Sequence, residues 1–257
     1  MKLDSTVVVC AHNEESHIEA CLESIRHQTI SPRLIVVVLD KCTDRTDILA
    51  RTVLENSDSV VIEKDAQRWK NSISENLELA RRKAVGAAFI VVDADIVVPV
   101  DFLERLLPQL DTLASVSALA RTDPGQGFLN RIVSFWERSY KFAPVGLEPR
   151  GGARAILREA LDEIGGFRDV IAWDTDVDNR LRKASYKVKL DTSLTVLHRR
   201  RMTFRRSFAY QVQAGRARKE LGIPLGRTVL HSILRLRPFV FYGYLKSPLG
   251  QCQRPTT

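Results

Sequence analysis

The chain has 257 residues, 44% of them apolar and 27% charged, which suits one large globular domain or a domain with an appendage. No apolar run reaches the roughly 18 residues a membrane span needs, and Cys10, Cys21, Cys42 and Cys252 show no C-x-x-C spacing for a zinc site or redox pair. The net charge of +8 is uneven: from Arg199 onward 13 Lys and Arg face Glu220 alone, so a tail of +12 follows a body of about −4.

Met1-Lys2-Leu3-Asp4 leads straight into a strand without a signal-peptide pattern, and the cysteines read as free thiols, so the expected setting is cytoplasmic. Ser5 to Cys10 is a β-rich apolar run, followed by Asn13 and Glu14 and then by Ile18, Cys21, Leu22 and Ile25 at helical spacing. Pro32 marks a turn before a second buried strand, Leu34 to Leu39, which ends in Asp40. Thr43-Asp44 reads as a helix start, with Ile48, Leu49, Val53 and Leu54 on the apolar side. Val60 to Ile62 is a third strand, and a helix from about Asn71 to Ala84 is closed by Gly86. Phe89 to Val92 is a fourth strand running into Asp93-Ala94-Asp95.

This alternation of strand and helix predicts an α/β fold with a mostly parallel sheet and helices on both faces. Ligands of such sheets bind beyond the carboxyl ends of the strands, where His12, Asn13, Glu14, Asp40, Asp93 and Asp95 fall. Residues i and i+2 of an extended chain point the same way, so Asp93 and Asp95 can converge on a divalent cation that also takes phosphate oxygens. No G-x-G-x-x-G follows the first strand and no G-x-x-x-x-G-K-[ST] occurs, which leaves dinucleotide and P-loop readings without support.

Beyond Pro99 the pattern gives a helix with Phe102, Leu103, Leu106 and Leu107, a strand at Val116 to Leu119 and an aromatic-bearing helix from Leu129 to Tyr140. A Gly-opened strand, Arg150 to Leu157, precedes a helix and the turn Gly165-Gly166-Phe167. Acids follow at Asp174, Asp176 and Asp178, then two short strands, Tyr186 to Leu190 and Leu194 to His198. The tail reads as a basic helix from Thr203 to Leu221 and an apolar, aromatic patch from Phe239 to Leu245.

Four segments in order, V-V-V-C-A-H-N-E-E, V-V-L-D-K-C-T-D-R-T, I-V-V-D-A-D-I-V-V-P and G-G-F-R-D-V-I-A-W-D-T-D-V-D-N-R-L, resemble the inverting family-two glycosyltransferases of GT-A fold. The resemblance covers about residues 5–200 and implies a Rossmann-like GT-A catalytic domain over 1–200, with a basic, partly apolar helical extension over 201–257. It further implies that a sugar passes from a nucleotide-diphosphate donor to an acceptor, with Mn²⁺ or Mg²⁺ as cofactor.

By position, the resemblance assigns Ala11, His12 and Glu14 to the loop that holds the nucleotide base, with His12 where relatives often carry an aromatic. Asp40 matches the acid that reads the base, while Asp44 is expected to cap the next helix. Asp93 and Asp95 match the D-x-D, Asp93 on the nucleotide sugar and Asp95 on the metal; His198 matches a histidine that closes over the diphosphate, and as a metal ligand it favours manganese. Asp174 matches the general base, with Trp173 replacing the usual Glu; Asp176 and Asp178 compete for the role, and an already ionised phosphate acceptor would leave Asp174 to orient it.

The Arg-Asn pair common in relatives has no clean match among Asn76, Arg81, Arg82 and Lys83. Gly151-Gly152 and Gly165-Gly166 resemble loops beside the sugar and acceptor pockets, or are ordinary turns. The expected acceptor is a glycan or lipid phosphate. The tail either lies on an anionic membrane surface at its cytoplasmic face or packs on the body or a second subunit, and no nucleic-acid partner is expected. Two rival readings are a catalytically silent nucleotide-sugar binder recruited to membranes and a sugar-phosphate nucleotidyltransferase; the latter lacks its Gly-rich, Arg-containing first loop here.

Overall fold

A computed structural model describes residues 4–139 and 152–247. The expectations placed on Met1-Lys2-Leu3, Tyr140, Arg150, Gly151, Cys252 and the side chain of Trp136 lie outside the described residues. The chain divides into two units: one formed by residues 4–123, 152–169 and 173–200, the other by 124–139, 170–172 and 201–247.

The first unit is built on one eight-stranded sheet. Strands β1 (Ser5–Ala11), β2 (Leu34–Asp40), β3 (Ser59–Lys64) and β4 (Ala88–Val92) alternate with helices α1 (Ile18–Arg26), α2 (Thr46–Leu54) and α3 (Ser72–Arg81). They pair in parallel in the order β3-β2-β1-β4, with Val7 opposite both Ile35 and Ile90. Because successive residues face opposite sides, Val7, Val9, Ile35, Val37, Ile90 and Val92 join one core layer with α1 and α2. Val8, Val36, Val38, Phe89 and Val91 join the other with Leu77 and Ala80 of α3. Burial on both faces is why these strands read as unbroken Val/Ile runs.

The rest of the sheet is mixed. It comprises β5 (Ile96–Val97), β6 (Ser115–Thr122), β7 (Ala153–Leu157) and β8 (Val188–His198), with β7 antiparallel to β4 and β6, β8 parallel to β6, and β5 antiparallel to β8. Helix α4 (Phe102–Leu106) leads into a 3₁₀ turn at Leu107–Asp111, α5 (Phe128–Ser139) belongs to the second unit, and α6 (Arg158–Glu163) and α7 (Trp173–Lys183) pack in the first.

Two expectations are corrected. The two short strands expected near the end of the body are one continuous β8: its register against β6 jumps from Ala118–Asp191 to Leu119–Thr195, and the Asp191 carboxylate accepts from Ser193 N, a local turn that reads in sequence as a break. Helix α3 ends at Arg81, and Gly86 (φ +81°) instead turns the chain into β4, where a Cβ would lie 2.6 Å from the Asp4 carbonyl oxygen.

In the second unit, α8 (Phe204–Glu220), α9 (Leu225–Leu234) and α10 (Pro238–Lys246) follow one another. Thr203 caps α8, its hydroxyl accepting from Arg206 N at 3.2 Å. Helix α5 is inverted: Asn130 and Ser134 are buried while Phe128, Ile132 and Phe135 face outward. The buried Asn130 side chain is satisfied by accepting from Met202 N at 2.7 Å.

Candidate functional site

The end of β4 begins the site. Asp93 N donates to Gly152 O at 2.8 Å, and Ile96 N donates to Asp93 O at 2.9 Å, turning the chain so that β5 can pair Ile96 with His198. Asp93, Asp95 and His198 thereby converge, each offering one ligand atom with all three within 4.8 Å of one another. Two carboxylates and an imidazole are donors suited to Mn²⁺. Gly152 leaves the room: a Cβ there would sit 2.9 Å from Asp93 Oδ2 and 3.3 Å from His198 Cε1. The residues present therefore fit a divalent cation.

The two acids differ in electrostatics. Burial pushes the Asp93 carboxyl up to about 6, with the charges of Asp95 and Asp174 adding to the rise against His198 and Arg200. Burial also acts upward on Asp95, but His198 Nδ1 at 3.2 Å and Arg200 Nε at 2.9 Å from its oxygens outweigh it and hold the group down at about 2. Arg200 Nη2 also donates to Glu14 Oε1, so this arginine joins the loop after β1 to the D-x-D. Glu14 Oε2 lies 3.1 Å from His17 Nδ1. The Glu14 side chain thus faces Arg200, while Ala11, buried at the end of β1, offers its carbonyl to Cys42 Sγ at 3.5 Å.

His12 and Asp40 meet at the ends of β1 and β2. His12 Nδ1 is 2.6 Å from the Asp40 carbonyl oxygen; a carbonyl only accepts, so Nδ1 carries the proton of this bond. Asp40 Oδ2 accepts from the Ser72 hydroxyl and from Asn76 Nδ2 at 3.1 Å, with Lys64 Nζ at 3.4 Å. Burial works against the Asp40 anion, yet these partners hold its carboxyl below the usual range. Its Oδ1 is buried and accepts no hydrogen bond from the described residues, with Lys41 Nζ at 3.8 Å. Asn76 therefore serves Asp40, and Arg81 and Arg82 are engaged by Glu78. Asp44 accepts from Thr46 N at 3.0 Å and secures the start of α2.

Helix α7 separates its three acids. Asp176 pairs with Arg180 at 2.7 Å, and Asp178 pairs with the fully buried Arg154. Asp174 lies in the first turn, its Oδ1 accepting from Thr175 N at 2.8 Å, and it is the α7 acid whose charge acts on Asp93. Trp173 is buried and meets Phe167 edge-on at 5.6 Å. Gly165 and Gly166 take positive φ and donate to Asp162 O and Leu161 O, ending α6, which is turn chemistry.

Sequence reasoning missed Lys64, Arg154 and Arg200. Lys64 had a usable signal, a charged residue ending the strand beside β2, in register with Asp40.

The model of the family described as glycosyl transferase family 2 matches residues 6–168. The chain is similar to succinoglycan biosynthesis protein ExoA of Rhizobium meliloti, 28% identical over 207 residues covering 76% of this chain and 62% of that protein. It is 24% identical over 205 residues to beta-monoglucosyldiacylglycerol synthase of Synechocystis, covering 71% of this chain and 41% of that protein. The chain thus spans less than two thirds of either curated relative. Among solved structures, mannosyltransferase PcManGT from Pyrobaculum calidifontis, in complex with GDP-Man and Mn²⁺, matches with a TM-score of 0.66 at 23% identity, covering 96% of this chain and 71% of that one. Glucosyl-3-phosphoglycerate synthase from Mycobacterium tuberculosis, in complex with Mn²⁺, UDP and phosphoglyceric acid, matches with a TM-score of 0.60 at 19% identity, covering 86% and 80%. At these identities the structural likeness establishes the fold, which is the GT-A fold expected from the sequence.

Proposed function

The chain belongs to glycosyl transferase family 2, and from that premise we propose that it is an inverting enzyme that moves a sugar from a nucleoside-diphosphate donor to a glycan or lipid-phosphate acceptor. The observation that carries this reading is the convergence of Asp93, Asp95 and His198 around the space left by Gly152, at the carboxyl edge of the sheet. A divalent cation, Mn²⁺ or Mg²⁺, would supply the charge that stabilises the leaving diphosphate. GDP-Man and UDP bind with Mn²⁺ in the two structural relatives, which supports this donor class.

Asp93, Asp95 and His198 would hold the cation, and Arg200 keeps Asp95 ionised and aimed. On the base side, the Asp40 carboxylate, whose Oδ1 accepts no hydrogen bond from the described residues, is the acceptor for a nucleobase N–H, and the His12 ring, fixed by its bond to Asp40 O, stacks on the base. Asp174 takes the proton of the acceptor hydroxyl as its oxygen bonds to the anomeric carbon and the bond to the diphosphate oxygen breaks, which inverts that carbon. With a phosphate acceptor Asp174 orients the nucleophile instead.

Residues 1–200 form the catalytic domain and 201–257 an extension that serves a membrane-associated acceptor. The exposed apolar side of α5 and the basic charge from Arg199 onward support contact with an anionic lipid surface. No helix among the described residues is long and apolar enough to cross a membrane. The relatives named as a succinoglycan biosynthesis protein and as a beta-monoglucosyldiacylglycerol synthase support a glycan or lipid acceptor.

The test pairs binding with turnover. UDP-glucose or GDP-mannose with Mn²⁺ should raise the melting temperature of the protein and of Asp174→Asn alike, while Asp174→Asn loses about 100-fold or more in nucleotide release. Full turnover in that variant would remove Asp174 from the role, and no thermal response to any nucleotide sugar would overturn the donor reading.

A further inference from the structure

Arg154 is fully buried on β7, two residues after the glycine that borders Asp93. Its guanidinium forks: Nη2 donates to Ser115 Oγ of β6 at 2.6 Å and to Asp178 Oδ1, and Nη1 donates to the Asp174 carbonyl oxygen at 3.3 Å. Cζ lies 5.7 Å from the centroid of the Trp173 ring. Nε has no acceptor among the described residues. A buried ion pair of this kind is poor value as stabilisation, because apolar side chains of similar volume commonly do as well or better. Its geometry has a different outcome: one cation ties strands β6 and β7 to the first turn of α7, at Asp174, and to the next turn, at Asp178.

We propose that the Arg154–Asp178 pair is a positioning device for Asp174, setting the first turn of α7 against strands β6 and β7 so that the Asp174 carboxylate meets the acceptor oxygen. The proposal rests on the reading of Asp174 as the proton acceptor. Arg154 and Asp178 are buried away from solvent, and Arg154 reaches residue 174 at its carbonyl oxygen, so the pair acts through the backbone of residue 174. Lysine cannot replace the arginine, since one ammonium on a flexible stem lacks the planar fork that reaches Asp178, Ser115 and the Asp174 carbonyl together.

The experiment compares Arg154→Met/Asp178→Leu, Arg154→Lys and Asp174→Asn with the parent chain, using nucleotide release from UDP-glucose or GDP-mannose with Mn²⁺. The double variant removes both charges together and avoids stranding one of them. It should melt cooperatively and keep its donor KM within roughly threefold, yet lose about 100-fold in kcat, the scale on which small misplacements act. Arg154→Lys keeps Asp178 paired and should lose at least about tenfold in kcat with the same unchanged KM, a readout that stands if the double variant does not fold. Wild-type kcat in either folded variant, or a loss confined to donor KM, overturns the positioning role. Full turnover in Asp174→Asn defeats the reading beneath it, so the two failures are told apart.

Discussion

Asp93 and Asp95 are separated by Ala94 alone and sit in opposite electrostatic settings. The Asp93 carboxyl, pushed up to about 6 chiefly by burial, contributes stability to the metal-free protein only while protonated; that contribution is lost as pH rises from the ordinary carboxylate range through about 6. The Asp95 carboxyl, held at about 2 by His198 and Arg200 against its own burial, contributes above the ordinary range and loses that contribution as pH falls towards 2. A cation needs both groups ionised. Mn²⁺ affinity should therefore fall by up to about tenfold per pH unit below 6, and binding near pH 6 should release a proton, seen as a dependence of calorimetric heat on buffer ionisation enthalpy. Affinity that is flat between pH 5 and 7 would show that Asp93 does not gate the site.

Elements are held by features that strand and helix patterns do not display. Helices α8 and α10 cross at two glycines: a Cβ on Gly215 would lie 2.0 Å from Val240 O, and one on Gly243 would lie 2.1 Å from Val212 O. The Phe208 and Phe239 rings meet edge-on at 4.8 Å beside this crossing. The blocking atoms are backbone, so the helices must part if either glycine gains a side chain. Gly215→Ala should cost on the order of 1–3 kcal/mol and speed amide exchange across 204–220 and 238–246, leaving exchange in β1–β4 unchanged. Parental exchange in α8 and α10 would count against so close a crossing.

At the scale of the molecule, charge and apolar exposure are both uneven. Phe128 and Phe135 on α5 are 76% and 77% exposed, and Phe204 at the start of α8 is 79% exposed, while the polar Asn130 and Ser134 of α5 are buried. Exposed apolar side chains beside Arg131, Arg138, Arg205 and Arg206 suit a surface that offers acyl chains and negative head groups together. Phe128→Ser/Phe135→Ser should reduce sedimentation with phosphatidylserine vesicles several-fold at low salt, and 0.5 M salt should reduce that of the parent chain. Equal pelleting of parent and variant would remove α5 from the membrane reading.

The sequence by itself determined the α/β alternation, since Val/Ile runs buried on both faces have few other uses, and it marked Asp93 and Asp95 just past a strand's end. The two-residue strand period expected to align them does not apply, because β4 ends at Val92 and residues 93–95 lie in the turn that Ile96 N closes on Asp93 O. It also marked Asp40, because an acid ending an apolar strand is visible without knowing its neighbours. Only the tertiary structure decided what those acids meet. Arg200 reaches Glu14 across 186 positions, Arg154 reaches Asp178 across 24, and Gly152 opens the space beside Asp93 from the turn before β7. No periodicity links such partners; sheet order and strand register bring them together, and their electrostatics exist only once that has happened.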